Sequence, residues 1–385
     1  MTARNPSLSL TYLISFLLAL HLGLPLYINS SLLASVVDEK YVGFIFTASS
    51  LIILIALGYF RHILEHLGNF LSLQWIMIAE LLALGTFLYT ANPFAVTAAM
   101  IVHMVVGSLI AFSMDIFLED KSINKKIGAI RGKYLTALSL GTFASPFIVG
   151  LLLKDGDYWK VYTLSILILA VIFLMFVRMY AGFRDPKYEK INFWGAWREI
   201  RKHRNVLKIC YTNFLLYLFY AIMVVYTPLY LSSHLGFSWS TIGEIFTIML
   251  LPFLFLEFPL GWIADKKIGE KEMLTAGFVI TAFTTAVLTF ITSVNPLVWG
   301  LALFSTRIGA SMIEVMNETY FFKKTNDTDT PMLMFFRMTR PVGFIIGPTL
   351  ATLTFIFFDF RHIFLITGIL LLSGIFVALL IKDTK

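Results

Sequence analysis

Charge and cysteine are what this 385-residue sequence has least of. Only 14% of its residues are charged, whereas a soluble domain carries roughly a quarter. A surface that poor in charge cannot face water throughout, so much of it must face lipid. The single cysteine, Cys210, excludes a disulfide framework and any cysteine metal cluster. There is no phosphate-cradling G-x4-G-K-[ST] loop and no H-E-x-x-H pair. These absences argue against a pump driven directly by ATP and against a membrane metalloprotease. They leave an expectation of no enzymatic activity and no cofactor or metal. The first apolar run continues to about residue 28 and no small-residue cleavage site ends it, so it reads as a membrane span and not as a cleaved signal.

What is present is apolar. Hydrophobic residues make up 58%, aromatics 16% with 37 Phe, and mean hydropathy is +0.82. A helix crosses the hydrocarbon core with about 20 apolar residues. Twelve candidate spans follow: 7–29, 40–60, 70–91, 95–117, 134–153, 159–180, 206–232, 241–264, 272–292, 296–321, 333–357 and 361–381. Lipid cannot satisfy bare backbone groups, so these must be helices, and an open sheet is excluded. The expected fold is an all-α membrane protein of twelve transmembrane helices.

The basic residues set the orientation. With the N-terminus inside, only Lys40, Lys154, Lys160 and Arg361 of the 30 Lys and Arg fall outside, and Arg307 lies within a span. That asymmetry follows the positive-inside rule. It puts both termini on the cytoplasmic side of the inner membrane and accounts for the net charge of +7 without nucleic acid.

The two halves repeat. Pro25–Ser31 resembles Pro228–His234 after 203 residues, Gly43 with Phe46-Thr47 resembles Gly243 with Phe246-Thr247 after 200, and Gly68 matches Gly269 after 201. Gly107, Gly141 and Pro146 match Gly309, Gly343 and Pro348, each after 202. The longest polar gap, residues 181–205, lies between the halves. The expected organisation is a six-helix bundle at 1–182, a cytoplasmic linker at 183–204 and a second bundle at 205–385. A parallel repeat of this kind makes a cavity between bundles that can rock, the geometry of alternating access.

Gly261-Trp-Ile-Ala-Asp265-Lys266-Lys267-Ile-Gly269-Glu270-Lys271, between the eighth and ninth spans, resembles the loop motif of the major facilitator superfamily. The resemblance implies that Gly261 permits close helix approach, that Asp265 faces the cytoplasmic end of the eleventh span, and that Lys266 anchors the loop. The first-half copy has decayed to Gly68, with Phe60 and Leu64 at the glycine and aspartate positions. In the fifth span Gly132, Gly141, Ser145-Pro146 and Gly150 resemble the glycine series of proton-coupled antiporters in that family, against which stands generic glycine packing. In the fourth span His103 precedes Gly107 where that subfamily has arginine. The resemblance therefore implies a secondary transporter, proton-coupled, with export slightly favoured over import. The alternatives are an uptake carrier or facilitator for a sugar, metabolite or peptide, and a non-transport role such as lipid flipping or sensing. Expected partners are a small-molecule substrate, protons and membrane lipids, with no nucleic acid and a monomeric carrier.

Ionisable residues within spans are costly, about 2.5–3.5 kcal/mol each by insertion scales, so each is a candidate for function. In the tenth span Arg307, Ser311, Glu314 and Glu318 recur at four, three and four, on one helical face. They read as a substrate or coupling surface, or as a structural salt-bridge network. Glu257, Glu314 and Arg340 sit at similar depth and, together with Asp265 and Arg337, read as an inner-gate ion-pair set, with Asp115 and Arg131 in a counterpart on the first half. Glu80 and His103 are first-half candidates, and His21 is a further intramembrane histidine. Glu80 is expected either to serve function or to pack against the second span, because its own span is peripheral in the resembling fold. Asn213, Tyr217 and Tyr220 in the seventh span present aromatic faces with polar tips to an amphiphilic or aromatic organic solute, or pack against the eleventh.

Overall fold

A computed structural model describes residues 8–120, 127–153, 157–180, 193–266, 268–325 and 330–382. The described residues form α-helices and one π-helical turn, with no strand among them. Among the described residues, eleven segments are long and apolar enough to span a membrane, and the shorter apolar helix Thr136–Leu152 stands at the position of the fifth expected span.

The first half contains α1 (Leu8–Leu26), α2 (Asn29–Val36), α3 (Glu39–Tyr89), α4 (Pro93–Asp120), α5 (Ile127–Leu152) and α6 (Tyr158–Met179). The second contains α7 (Phe193–Lys202), α8 (Arg204–Leu229), the π-turn Tyr230–His234, α9 (Trp239–Lys266), α10 (Glu270–Leu288), α11 (Pro296–Lys324), α12 (Thr330–Phe357) and α13 (His362–Leu379). Two compact units result: Met1–Lys190 with Ser238–Gly243, and Ile191–Phe237 with Glu244–Lys385. Part of the stretch expected to be linker is thus helical, as α7.

Local chemistry explains where the helices break. Proline lacks the N–H for an intrahelical bond and crowds the preceding turn. Pro25 lies one residue from the end of α1, and the chain restarts as α2 at Asn29. Pro228, its repeat partner, lies one residue from the end of α8, where the chain continues as the π-turn. Gly68 bends α3 into two limbs at φ 73°, ψ 162°, and Gly269 precedes α10 at φ 104°, ψ 159°. These paired glycines share a backbone region that residues with a Cβ avoid.

The repeat also governs packing. In the first unit α1 packs on α5 and α6, and α3 on α4 and α6; in the second α8 packs on α12 and α13, and α10 on α11 and α13. A Cβ on Gly141 would stand 2.6 Å from the Phe16 carbonyl oxygen and 2.9 Å from the Leu20 amide nitrogen. On Gly343 it would stand 2.7 Å from the Leu218 amide nitrogen. Each glycine therefore brings one helix backbone against another, α5 on α1 and α12 on α8. Gly343→Ala should push those backbones apart, at about 1–3 kcal/mol for overpacking. A thermal midpoint in detergent equal to wild type would show that α8 and α12 separate without cost.

Beneath the polar residues of the first unit lies a core layer that includes Leu18, Met77, Val106, Ile110, Leu169 and Phe176, all buried. Leu18, Met77, Val106 and Leu169 sit one helical turn from His21, Glu80, His103 and Ser165 respectively. A polar layer thus rests directly on an apolar one.

Candidate functional site

Each unit holds a polar cluster of its own. In the first, five helices supply the groups. Glu80 of α3 is fully buried, and His103 of α4 lies with Nδ1 2.6 Å from Glu80 Oε1. Asn29, at the restart after Pro25, places its amide nitrogen 3.3 Å from His103 Nε2 and accepts from the Tyr162 hydroxyl at 2.8 Å. These bonds form one directional chain if Asn29 donates: Tyr162 to Asn29, Asn29 to His103, and His103 to the Glu80 carboxylate. That polarity assigns the neutral imidazole with its proton on Nδ1. Phe87 packs on Tyr162 with ring centres 4.7 Å apart and presents its ring edgewise to His103 at 6.3 Å.

His21 of α1 approaches Glu80 from the other side, with Nε2 3.5 Å from Oε1. Its Nδ1 lies 2.7 Å from the Ser165 hydroxyl and 3.1 Å from the Ser165 carbonyl. Two buried atoms, His21 Nε2 and Glu80 Oε2, have no hydrogen-bond partner among the described residues. Leaving such groups unsatisfied costs about 1–3 kcal/mol each. A proton added to either would let the imidazole and the carboxylate donate to and accept from each other.

The second unit's cluster is aromatic and cationic. Tyr220 of α8 donates to Glu314 Oε2 of α11 at 2.6 Å. The buried Arg307 guanidinium lies 4.9 Å from the Phe219 ring centre and 5.7 Å from that of Tyr220. Tyr217 stands edge-on to Tyr220 at 5.9 Å, with the Arg340 guanidinium 5.8 Å from its centre. Tyr220 is therefore the residue on which Arg307 and Glu314 converge.

These placements amend several expectations. Glu80 contacts groups from α1 and α4, so its peripheral span does not turn it away from the bundle interior. Of the stripe on α11, Ser311 is fully buried with its hydroxyl on the Ile308 carbonyl at 2.9 Å. Glu318 pairs with Arg337 at 2.8 Å, where both side chains are accessible. The expected inner-gate set is accordingly divided: Glu314 meets Tyr220, Arg337 meets Glu318, and Arg340 lies over Tyr217. Asn213 is buried and donates to Thr339 of α12 at 2.8 Å, beside a second bond from Thr212 to Asn317 at 2.7 Å. Gly269 is placed by its backbone, and Gly141, Pro146 and Gly150 lie within α5. The side chains of Asp115, Arg131, Glu257, Asp265 and Lys266, and the surroundings of Gly261, lie outside the described residues.

Sequence reasoning missed Asn29, Tyr162 and Ser165. A lone amide inside an apolar run, one turn beyond a proline, is the signal that marks Asn29. Tyr162 and Ser165 carry no comparable mark, since hydroxyl side chains are common in membrane spans and neither follows a helix-breaking residue.

The model of the Major Facilitator Superfamily matches residues 8–313 and 212–385. This chain belongs to that superfamily. As a member it moves a solute across a membrane by secondary transport. The crystal structure of a point mutant of the nucleoside transporter NupG superposes with a TM-score of 0.78 over 97% of this chain and 99% of that one, at 12% identity. Unsubstituted NupG gives 0.75 over 98% and 99%, at 14% identity. A bacterial homologue of the human lysosomal transporter Spinster gives 0.76 over 97% and 95%, at 11%. At these identities the likeness is one of fold. No curated protein sequence matches the chain.

Proposed function

We propose that this member of the superfamily couples the movement of a small organic solute to protons, with the Glu80–His103–His21 cluster as the proton carrier. The observation that supports this reading is the fully buried Glu80 carboxylate, within 2.6 Å of one imidazole and 3.5 Å of another, on three different helices. An imidazole can hold a proton on one ring nitrogen or on both. The cluster therefore has a proton-poor and a proton-rich form of similar chemistry, and one proton can pass between its members. If His103 takes a second proton, its Nε2 becomes a donor, and the Asn29 amide must turn its oxygen toward the ring. Tyr162 must then accept where it had donated. Protonation would thus reverse a hydrogen-bond chain that ties α2 to α4 and α6.

The solute end of the mechanism is assigned to Tyr217, Tyr220, Arg307 and Glu314. Aromatic faces beside a guanidinium and a carboxylate suit an organic solute with a flat apolar part and polar substituents. Export is the favoured direction, on the glycine series of α5. The cytoplasmic membrane, with both termini and α7 on the cytoplasmic side, follows from the basic-residue asymmetry. A reporter fused near residue 190 should then read cytoplasmic and one near Asn295 periplasmic; the opposite pattern overturns the orientation.

Transport is tested in proteoliposomes. A thermal-shift screen of the purified protein over drugs, sugars, amino acids and nucleosides finds a ligand, because binding to the folded state raises apparent stability. That ligand is then offered with and without an imposed pH gradient. Accumulation against its own gradient, with matching proton movement reported by an internal pH dye, is the expected result. Equal rates with and without the gradient would make the protein a facilitator or assign it another ion.

A further inference from the structure

We infer that α7 carries a binding site for the headgroup of an anionic phospholipid and holds the adjoining end of α12 in place through it. The inference does not depend on which ion or solute the protein carries. α7 has two unlike sides. Ile200 is fully buried, and Trp197 packs on Phe335 of α12 with ring centres 5.3 Å apart and planes at 31°. Arg198 and Arg201 of α7 are exposed, as is Arg204 at the start of α8, and the Arg201 guanidinium lies 5.8 Å from the Trp197 ring centre. A short helix with an aromatic and aliphatic side and a guanidinium side has the chemistry of an element lying in a membrane interface.

Two further observations fix its depth. Only His203 separates α7 from α8, whose first residue, Arg204, opens a candidate membrane span. Lys208, one turn into α8, donates to the Leu380 carbonyl at 2.5 Å, beside the last residue of α13. The end of α7 therefore lies level with the plane where α8 enters the bilayer and α13 leaves it. Phosphodiester headgroups occupy that plane. Lys208 is already engaged with the carbonyl, so the ligands for a lipid phosphate are the arginines, whose planar forks match its oxygens.

The ring contact passes the effect on. Phe335 is one turn from Thr339, which takes the Asn213 amide, and next to the turn that carries Arg337 and Arg340. A headgroup that draws α7 to the bilayer surface thereby restrains the end of α12 from which the second unit's cluster is built. Bilayer lipid is the occupant, in preference to a soluble phosphate, because the arginines sit on α7 and on the first residue of α8, both tethered at the membrane plane.

The test uses the full chain in nanodiscs of phosphatidylcholine, alone or with phosphatidylglycerol. Native mass spectrometry counts the lipids that stay bound, and the thermal midpoint is read in parallel. Wild type should retain phosphatidylglycerol selectively and melt higher in its presence. Each Arg→Gln change at 198, 201 or 204 should lower that selectivity about fivefold, the worth of one cation near an anionic surface. Arg→Lys changes should retain most of it. Arg361→Gln, an exposed cation at the start of α13, should leave it unchanged. Selectivity that survives the triple Gln variant, or falls as far with Arg361→Gln, overturns the site. Inorganic phosphate raising the midpoint as much as phosphatidylglycerol does would show an anion site with no membrane role.

Discussion

Replacing Glu80 with glutamine should abolish accumulation driven by a pH gradient while leaving solute exchange at equal pH intact. Glutamine is close to the shape of a protonated carboxyl group but cannot release a proton. His103 would keep an acceptor for its Nδ1–H, since the amide oxygen can stand where Glu80 Oε1 stands, 2.6 Å away. The polar layer over Leu18, Met77, Val106 and Leu169 would therefore persist, and the fold with it. What disappears is the only carboxylate facing both imidazoles among the described residues. Asn29→Leu is the informative companion. It leaves Glu80 and both histidines in place but cuts the chain from Tyr162 to His103. It should slow proton-driven transport without preventing it, since Glu80 and His21 can still exchange a proton. The measurement is concentrative flux and counterflow in the same vesicles. Accumulation by Glu80→Gln alongside failure of Glu314→Gln would transfer the coupling group to α11 and overturn the assignment to the first unit.

The fold was legible in the sequence because a bilayer enforces it. Apolar runs of spanning length have one solution, the helix, so the spans could be read from hydropathy alone. The repeat was legible for a different reason. Residues such as Gly141 and Gly343, or Gly68 and Gly269, answer to backbone geometry that both halves share, and geometry tolerates few substitutions. The chemistry of the two halves is not repeated. Carrying His21, Glu80 and His103 forward by 202 residues leads to Met223, Ala282 and Ser305, none of which titrates near neutral pH. No symmetry argument could therefore assemble the first unit's cluster. Its members are separated by 59 and 23 residues, and helical periodicity speaks only of neighbours on one helix. That limit also explains the reading of α11. Arg307, Ser311, Glu314 and Glu318 do share a face, but a face several turns long meets different partners along its length: aromatic rings at Arg307, a hydroxyl at Glu314 and a guanidinium at Glu318.

Arg307→Lys should weaken solute binding tenfold or more, a loss of about 1.4 kcal/mol, although the positive charge remains. The guanidinium lies over two rings, Phe219 at 4.9 Å and Tyr220 at 5.7 Å. A flat, weakly hydrated ion can stack there and still present N–H groups at its edge. An ammonium is compact and strongly hydrated, so it stacks less well and fixes fewer donors in direction. Tyr220 makes the effect traceable. Its ring faces Arg307 and its hydroxyl holds Glu314 at 2.6 Å, so the cation and the anion are positioned through one side chain. Tyr220→Phe keeps the ring but leaves the carboxylate without that donor, a loss of about 1.5–3 kcal/mol for a bond to a charged group. Arg307→Lys and Tyr220→Phe should consequently be non-additive, since they disturb one arrangement from two ends. Binding of the thermal-shift ligand, measured for both single variants and the double, decides the matter. Strict additivity would mean that Arg307 and Glu314 act independently, and unchanged affinity in Arg307→Lys would reduce the cation over the rings to a packing role.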